Sequence, residues 1–206
     1  MIQFDNAVKR FNNLILSELK EKSIKCWIAG GAIRDYFAGI PHKTDYDLFF
    51  PDEQNFMLTK KYFTDNDASV KWESENGVKV VYKGKTYDLV KKYFASPKET
   101  IDAFDFTVSM FAVDSEAVYH GETSFIDLSK RQLMINKITY PASTLSRAFK
   151  YTKKGYGLCL GEMQKIILSI QEMPKEPNKD GGESPVGNEG EESSGDKFGW
   201  FFIGLD

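Results

Sequence analysis

The sequence contains little cysteine or histidine and no long apolar segment. Its two cysteines, Cys26 and Cys159, lack C-x-x-C spacing, which argues against a disulfide framework and favours a reducing, cytoplasmic setting. The two histidines, His42 and His120, show no metal-ligand or catalytic-triad spacing. No run approaches the ~20 apolar residues of a membrane helix, and no signal-peptide pattern opens the sequence, so no membrane partner is expected.

What is present suffices for one domain with a substantial core. The 206 residues are 41% hydrophobic and 14% aromatic, and the formal net charge is −3. Nine acids against three lysines from Glu172 onward give that end a net charge of −6, which leaves the preceding 171 residues at +3. This mild basic excess is compatible with a nucleotide or nucleic-acid partner without requiring one.

A glycine turn follows the first apolar run, residues 27–29. Gly30 and Gly31 lead into a predicted helix over 32–38, which Gly39 ends. Glycine accepts positive φ and lets another backbone or a phosphate come close, and the N–H groups at a helix start favour an anion. The turn therefore predicts a phosphate-binding element.

Two carboxylates, Asp45 and Asp47, precede a second apolar run that ends at Phe50. On a strand, residues i and i+2 share a face and lie about 6.5–7 Å apart. Two acids so placed repel each other unless a cation lies between them, which suggests a divalent-metal site. Asp88, inside a later predicted strand, alternates with Tyr87 and Leu89; it either completes a three-acid site or is a solvated acid on an open sheet face.

The pattern as a whole predicts an α+β fold in which helices flank a mixed β-sheet whose later part is antiparallel. A helix is predicted over 3–22, and Asp52 and Ser96 are expected to start two more, the first over 53–63. The predicted strands are residues 24–29, 44–50, 69–73, 78–83 and 86–93, with hairpin turns at 76–77 and 83–85.

The C-terminal third is predicted to contain two helices and then a segment of different composition. Pro141 opens a predicted helix, a further helix is expected over 158–173, and residues 174–206 are rich in Glu, Gly, Ser and Pro and predict a disordered acidic tail. We thus divide the chain into a domain over 1–140, a helical extension over 141–173 and a tether over 174–206. The apolar tip of this tether, residues 198–206, either docks on a protein partner or folds back on the preceding domain.

These features resemble the head domain of the poly(A) polymerase and CCA-adding tRNA nucleotidyltransferase family, within the polymerase-β-like nucleotidyltransferase superfamily. GGAIRDYFAG at 30–39 and DYDLFF at 45–50 are similar to the family's GG-x-x-RD helix entry and D-x-D strand. DFTV at 105–108 and SRAFKY at 146–151 resemble two later family segments. The four features occur in the family's order over roughly residues 22–157.

The resemblance implies a site and a chemistry. The metal ligands and catalytic residues would be Asp45, Asp47 and Asp88, holding two Mg²⁺ ions. The nucleotide-binding residues would be Gly30, Gly31, Arg34, Asp105 and Arg147. Arg34 either binds a phosphate or pairs with Asp35. Arg147 and Lys150 either meet a phosphate or an acidic partner, or lie on a solvated helix face.

The sequence departs from the family just before DFTV. Ala103 and Phe104 stand where the family has two arginines that help to hold the incoming nucleotide. The tRNA-binding neck, body and tail domains of family members have no counterpart in this sequence, which argues against CCA addition. The minimal head would suit an accessory protein of a phage or bacterium.

Three functions remain open from the sequence. The first is a nucleotidyltransferase that moves an NMP group from an NTP to a hydroxyl of an RNA end, a small molecule or a protein. The second is a catalytically altered head that serves as a binding or assembly component through its C-terminal tail. The third is a superfamily activity that modifies a partner protein as a toxin or antagonist. The partners expected are an NTP, RNA as a further candidate, and a protein for the tip.

Overall fold

A computed structural model describes residues 2–41 and 45–173 of the chain. The predictions that concern His42, Thr44, the acidic tail 174–206 and its tip 198–206 lie outside the described residues. Within them, the structure is the predicted α+β arrangement: a seven-stranded mixed sheet with helices packed against it.

The described helices begin and end close to the predicted positions. They are α1 (Ile2–Phe11), α2 (Ser17–Glu21), α3 (Gly31–Phe37), α4 (Glu53–Asp65), α5 (Pro97–Asp102), α6 (Ser124–Lys130), α7 (Pro141–Lys153) and α8 (Leu160–Gln171). The single helix predicted over 3–22 is interrupted by a π-helical segment, Asn12–Leu16, which joins α1 to α2. Asp52 and Ser96 cap α4 and α5 as expected, since their side chains accept from the backbone N–H of Asn55 and Glu99.

The strands form one large sheet and one short pair. They are β1 (Trp27–Ala29), β2 (Tyr46–Phe50), β3 (Ser69–Ser74), β4 (Gly77–Tyr82), β5 (Lys85–Tyr93), β6 (Phe111–Val113), β7 (Val118–His120), β8 (Gln132–Leu133) and β9 (Gly157–Leu158). The large sheet has the order β3-β4-β5-β2-β1-β6-β7, and β8 pairs with β9. Only β2 and β5 are parallel within the large sheet; the β3-β4-β5 part is antiparallel, as predicted.

The two faces of the large sheet bury different cores. On one face, residues such as Ile28 and Leu48 join the apolar sides of α1, α2 and α4 in the main core. On the other face, a smaller cluster packs under α5: Trp27, Ala29, Phe49, Phe94, Ile101, Phe104, Met110 and Ala112. The indole N–H of Trp27 donates to the Thr100 hydroxyl at 2.9 Å, which ties α5 to β1. This second face also carries the acidic residues described below.

The C-terminal helices pack against the preceding part of the chain. Helix α7 packs on α8, and Tyr151 of α7 lies in the main core. Its hydroxyl accepts from the Arg34 guanidinium at 2.9 Å, which links α7 to α3. Among the described residues, none of the helices combines the length and apolarity that a membrane span requires.

Candidate active site

The predicted glycine turn follows the end of β1, beside the second face. Gly30 has φ +82° and ψ −131°, a conformation that side chains disfavour, and α3 begins at Gly31. The Gly30 N–H donates to the carbonyl of Phe111 at 2.8 Å, which holds the turn against β6. A β-carbon placed on Gly30 would lie 3.9 Å from Oδ2 of Asp47, so the turn directly adjoins this carboxylate.

Two of the three predicted acids face each other across the parallel strand pair. Asp47 of β2 and Asp88 of β5 are register partners, and Tyr46 and Tyr87, one residue before each, point together to the main core. Asp45 lies just before β2 and is close enough to Asp88 to raise its pKa. The structure thus brings together the three carboxylates that the sequence singled out; their catalytic role remains a prediction.

Asp47 is the most deeply buried of these acids. The residue is 1% exposed, and neither of its carboxylate oxygens has a hydrogen-bond partner within the described part of the chain. Burial, followed by the charges of Asp88 and Asp45, raises its pKa well above the ordinary value. A buried carboxylate without a partner is costly to the fold, and such a group commonly belongs to a binding site.

A lysine that the sequence analysis did not single out lies among the acids. Lys79 of β4 is the register partner of Asp88, and its Nζ lies 2.5 Å from Oδ2 of Asp45 and 3.4 Å from Oδ2 of Asp88. Burial lowers the pKa of Lys79, but the hydrogen bond to Asp45 and the charge of Asp88 outweigh it, and the net direction is upward. Lys79 is therefore a cation in contact with two of the three carboxylates.

Asp88 titrates near neutrality because of this environment. Burial raises its pKa, Lys79 lowers it and Asp45 raises it again, which places the pKa at about 6. A carboxyl group with such a value exists in both protonation states near physiological pH, which suits a group that exchanges protons.

A cleft that is open to solvent begins at the glycine turn. The residues that line it are Gly30, Gly31, Ala103, Phe104, Asp105, Phe106, Ser109, Arg147 and Tyr151. Four of the five residues predicted to bind a nucleotide therefore line one cavity, beside Asp47. The cavity approaches the acid cluster at Gly30, where an added β-carbon would lie 3.9 Å from Oδ2 of Asp47.

One wall of the cleft is an ion pair between two of the predicted nucleotide-binding residues. Arg147 Nε donates to Oδ2 of Asp105 at 2.7 Å, and the Thr144 hydroxyl donates to the same oxygen at 3.0 Å. Both partners are largely buried, and burial raises the pKa of Asp105 although Arg147 and Thr144 oppose the rise. Of the two alternatives for Arg147, the solvated helix face does not describe its position.

Arg34, the fifth predicted residue, has contacts inside the protein. It is 1% exposed, and its guanidinium donates to Oδ1 of Asp35 at 2.7 and 2.9 Å and to the Tyr151 hydroxyl at 2.9 Å. The pairing with Asp35, one of the two alternatives, is thus the arrangement present. Contact between Arg34 and a phosphate remains a prediction.

Further cations surround the cleft. Lys92, on the same side of β5 as Asp88, has a pKa lowered by burial and then by Lys137 and Arg147. Lys150 has a pKa lowered by burial and then by Arg34 and Arg147, whereas Asp47 acts in the opposite direction. These positive charges are close enough to repel one another, so an anion among them is electrostatically favoured.

The departures from the family pattern occupy the same cleft. Ala103 ends α5 and Phe104 is 6% exposed, with its ring 6.1 Å from that of Phe49. Phe104 therefore packs in the smaller core, and a cationic side chain at this position would lose its hydration. Lys92 and Lys150 supply positive charge to this region from other elements.

The donor chemistry of the acid cluster fits a divalent cation only in part. Hard carboxylate oxygens suit Mg²⁺, and the buried oxygens of Asp47 lack another partner within the described residues. However, no set of three or more potential ligands is gathered into a ready-made metal site in the described ranges. The ammonium of Lys79 lies between Asp45 and Asp88, where such a site would require open space.

Solved structures with the same fold support this architecture. A tRNA-processing enzyme in an apo form matches 80% of this chain and 47% of its own, with a TM-score of 0.62 and 15% sequence identity. The CCA-adding enzyme of Thermotoga maritima, complexed with tRNA, matches 79% and 42%, with a TM-score of 0.60 and 14% identity. The Bacillus stearothermophilus CCA-adding enzyme, in complex with CTP, matches 82% and 44%, with a TM-score of 0.56 and 19% identity. The fold is that of a nucleotidyltransferase head domain, as the sequence motifs predicted.

A curated relative is nearer in sequence. It is the protein "Gabija anti-defense 2" of Bacillus phage SPbetaL7, 27% identical over 150 residues, which are 71% of this chain and 37% of the relative. The chain thus spans little more than a third of that relative's length and less than half of each solved structure. The profile described as "Gabija anti-defense 2 family protein" matches residues 3–131, and the chain belongs to this family.

Proposed function

We propose that the protein is a metal-dependent nucleotidyltransferase that transfers an NMP group from an NTP to a hydroxyl acceptor. The observation that carries the proposal is the in-register pair of Asp47 and Asp88 beside the glycine turn, with the Asp47 carboxylate buried and without a partner among the described residues. Such a carboxylate is maintained at a cost to stability, and cation binding accounts for it.

Two groups of residues would bind the phosphates and the metal ion that phosphoryl transfer requires. Gly30 and Gly31 allow the phosphates to approach the start of α3, and Arg147, Lys92 and Lys150 supply positive charge around the cleft. Asp45, Asp47 and Asp88 would hold the divalent ion. When bound, Mg²⁺ would supply charge neutralisation for the polyphosphate and would acidify the attacking hydroxyl.

The proposed reaction is an in-line displacement at the α-phosphorus. The acceptor oxygen forms a bond to phosphorus, the bond to the bridging oxygen breaks, and pyrophosphate leaves with that electron pair. The proton of the acceptor hydroxyl passes to solvent as the new bond forms. Tyr151 and Ser109 lie in the same cleft and offer hydroxyls, 2.5 Å apart, to a bound substrate.

The family name points to the biological setting. We propose that the transfer counteracts the Gabija defence of a bacterial host, in the cytoplasm, and that the acceptor is a protein, an RNA or a small molecule on which that defence depends. Two of the solved structures with the same fold are complexes with tRNA and with CTP, which keeps RNA and an NTP as candidate partners of this chain.

The second candidate is a nucleotide- or protein-binding head that opposes the same defence without catalysis. Two observations favour it: Lys79 already forms ion pairs with two of the carboxylates, and Ala103 and Phe104 replace the two arginines. In either case we keep the division into a domain over 1–140, an extension over 141–173 and a tether over 174–206 whose tip binds a protein partner.

One experiment separates the two candidates. The full chain is incubated with each α-³²P-labelled NTP, Mg²⁺ and a lysate of cells that carry Gabija, and the labelled products are resolved by gel electrophoresis. Label transfer that is lost in Asp47→Asn and Asp88→Asn, but retained in the exposed control Asp65→Asn, supports the enzyme. Absence of transfer with every NTP, combined with anti-Gabija activity of Asp47→Asn in phage-infected cells, supports the binding protein.

A further inference from the structure

The acid cluster contains the ammonium group of Lys79, which bears on how many metal ions the cluster can bind. The inference drawn from it rests on the proposed function. Lys79 reaches the carboxylates because the tight turn at 83–84 pairs Tyr82 with Lys85 and thereby brings Lys79 opposite Asp88. Val78 and Val80, its neighbours in β4, are buried in the main core, which directs Lys79 to the acidic face. Its position is thus imposed by the hairpin.

The charges explain what the lysine does there. Three carboxylates within one cluster repel one another, and one ammonium in contact with Asp45 and Asp88 relieves part of that repulsion. Asp47 receives no hydrogen bond from it or from any other described residue. The cluster is therefore divided into two acids with a built-in counter-ion and one acid without a partner.

We propose that Lys79 takes the place of one divalent cation, so that the acid site binds a single divalent ion centred on Asp47 in place of the two that the resemblance implies. The ion and the ammonium then compete for Asp45 and Asp88. Lys79 is a positioning residue here: it keeps the two carboxylates in place before the ion arrives, and its charge weakens the ion's binding.

The test is direct binding of Mn²⁺ to the full-length, metal-stripped protein, measured from the EPR signal of the free ion. The variants are Lys79→Met, which keeps an unbranched side chain one atom shorter and removes the charge, and Lys79→Gln, which removes the charge and keeps a hydrogen-bond donor. Lys60→Met is the matched control. Lys60 also forms an ion pair, with 2.5 Å between its Nζ and Oε1 of Glu73, but this pair lies outside the acid cluster. Thermal melting in EDTA confirms that each variant is folded, and Lys79→Gln is used if Lys79→Met is not.

We expect one Mn²⁺ site in the wild-type protein and in Lys60→Met, and an affinity at least about tenfold higher in the Lys79 variants. Two sites in the wild-type protein, or an affinity that the Lys79 variants leave unchanged or reduce, would overturn this inference while the proposed metal site stands. Absence of Mn²⁺ binding in the wild-type protein and in the Lys79 variants would overturn both this inference and the metal-dependent function.

Discussion

Asp47 and Asp88 are direct partners across the only parallel strand pair of the described seven-stranded sheet. Because partners in adjacent strands share a face, both carboxylates project to the side that carries the glycine turn. Their burial raises the pKa of each, and the charge of Asp88 raises that of Asp47 further. The two carboxylates thus repel each other when both are ionised, and a bound cation would reduce this repulsion.

Replacement of Asp47 by asparagine should stabilise the metal-free protein. The folded protein holds this carboxyl at a raised pKa, which costs stability above the ordinary pKa, whereas asparagine is neutral and similar in shape; we therefore expect the free energy of unfolding to rise by about 1–3 kcal/mol at pH 8. Chemical denaturation in EDTA measures this gain, and EPR should show that Mn²⁺ binding is lost in the same variant. A less stable variant, or one that still binds Mn²⁺, would contradict the assignment of Asp47.

Stability should depend on pH through Asp88. Its folded-state pKa of about 6 exceeds the ordinary value of 3.8, so the folded protein binds this proton more tightly than the unfolded chain does. The contribution of Asp88 to the free energy of unfolding therefore falls as pH rises from about 4 to about 6 and is level above that. Thermal melting of wild type and Asp88→Asn in EDTA should show the variant gaining up to ~2–3 kcal/mol over this window. A difference that does not change with pH would refute the raised pKa.

Substitution of Gly30 by alanine should destabilise the protein through backbone strain. The φ of +82° with ψ of −131° disfavours any β-carbon, at a cost of about 1–3 kcal/mol, although the nearest side-chain atoms would be 3.9 Å away. Gly161→Ala is the control, because a β-carbon on Gly161 in α8 has no atom within 4 Å and should be neutral or slightly stabilising. Denaturant unfolding compares the two, and equal effects would argue against strain at the turn.

The ion pair between Arg147 and Asp105 should show strong coupling. Removal of the arginine in Arg147→Ala leaves a largely buried carboxylate with one hydrogen bond from Thr144, and we expect a loss of about 2–4 kcal/mol. The double variant Asp105→Asn, Arg147→Ala should recover part of this loss, which a double-mutant cycle in urea measures. Strict additivity of the two single substitutions would show that the pair contributes nothing to the cleft wall.

Removal of residues 174–206 tests the proposed tether. Because α8 and the rest of the described helices and strands precede it, we expect the truncated chain to melt within a few degrees of the full chain and to retain label transfer. The truncated chain should no longer bind the protein partner, and a pull-down from a Gabija-carrying lysate measures this binding. Loss of folding on truncation would refute a detachable tail.

Much of the site was predictable because it depends on local rules. The double glycine followed by an apolar helix predicted the turn, and the alternation of Asp88 with Tyr87 and Leu89 predicted its face of the sheet. Lys79 was missed, yet a signal existed: a tight turn at 83–84 sets the hairpin register and pairs residue 79 with residue 88. The alternation of Lys79 with Val78 and Val80 would then have directed it to the acids.

Other features had no signal in the sequence. The π-helical segment Asn12–Leu16 keeps the apolar periodicity of the predicted helix almost unchanged, so the pattern alone does not reveal it. Arg34 also donates a hydrogen bond to Tyr151, which lies 117 residues further along the chain and reaches Arg34 only through the packing of α7. Long-range contacts of this kind are not encoded in local spacing.

By itself, the sequence determined the type of fold, the glycine turn and the set of acids, since periodicity, turn chemistry and motif order are local properties. The tertiary structure alone decided that Asp47 is buried without a hydrogen-bond partner among the described residues while Lys79 neutralises its neighbours. The reason is physical: burial and pairing depend on which strands lie side by side, and the paired residues of β2 and β5 are 41–43 residues apart in the chain.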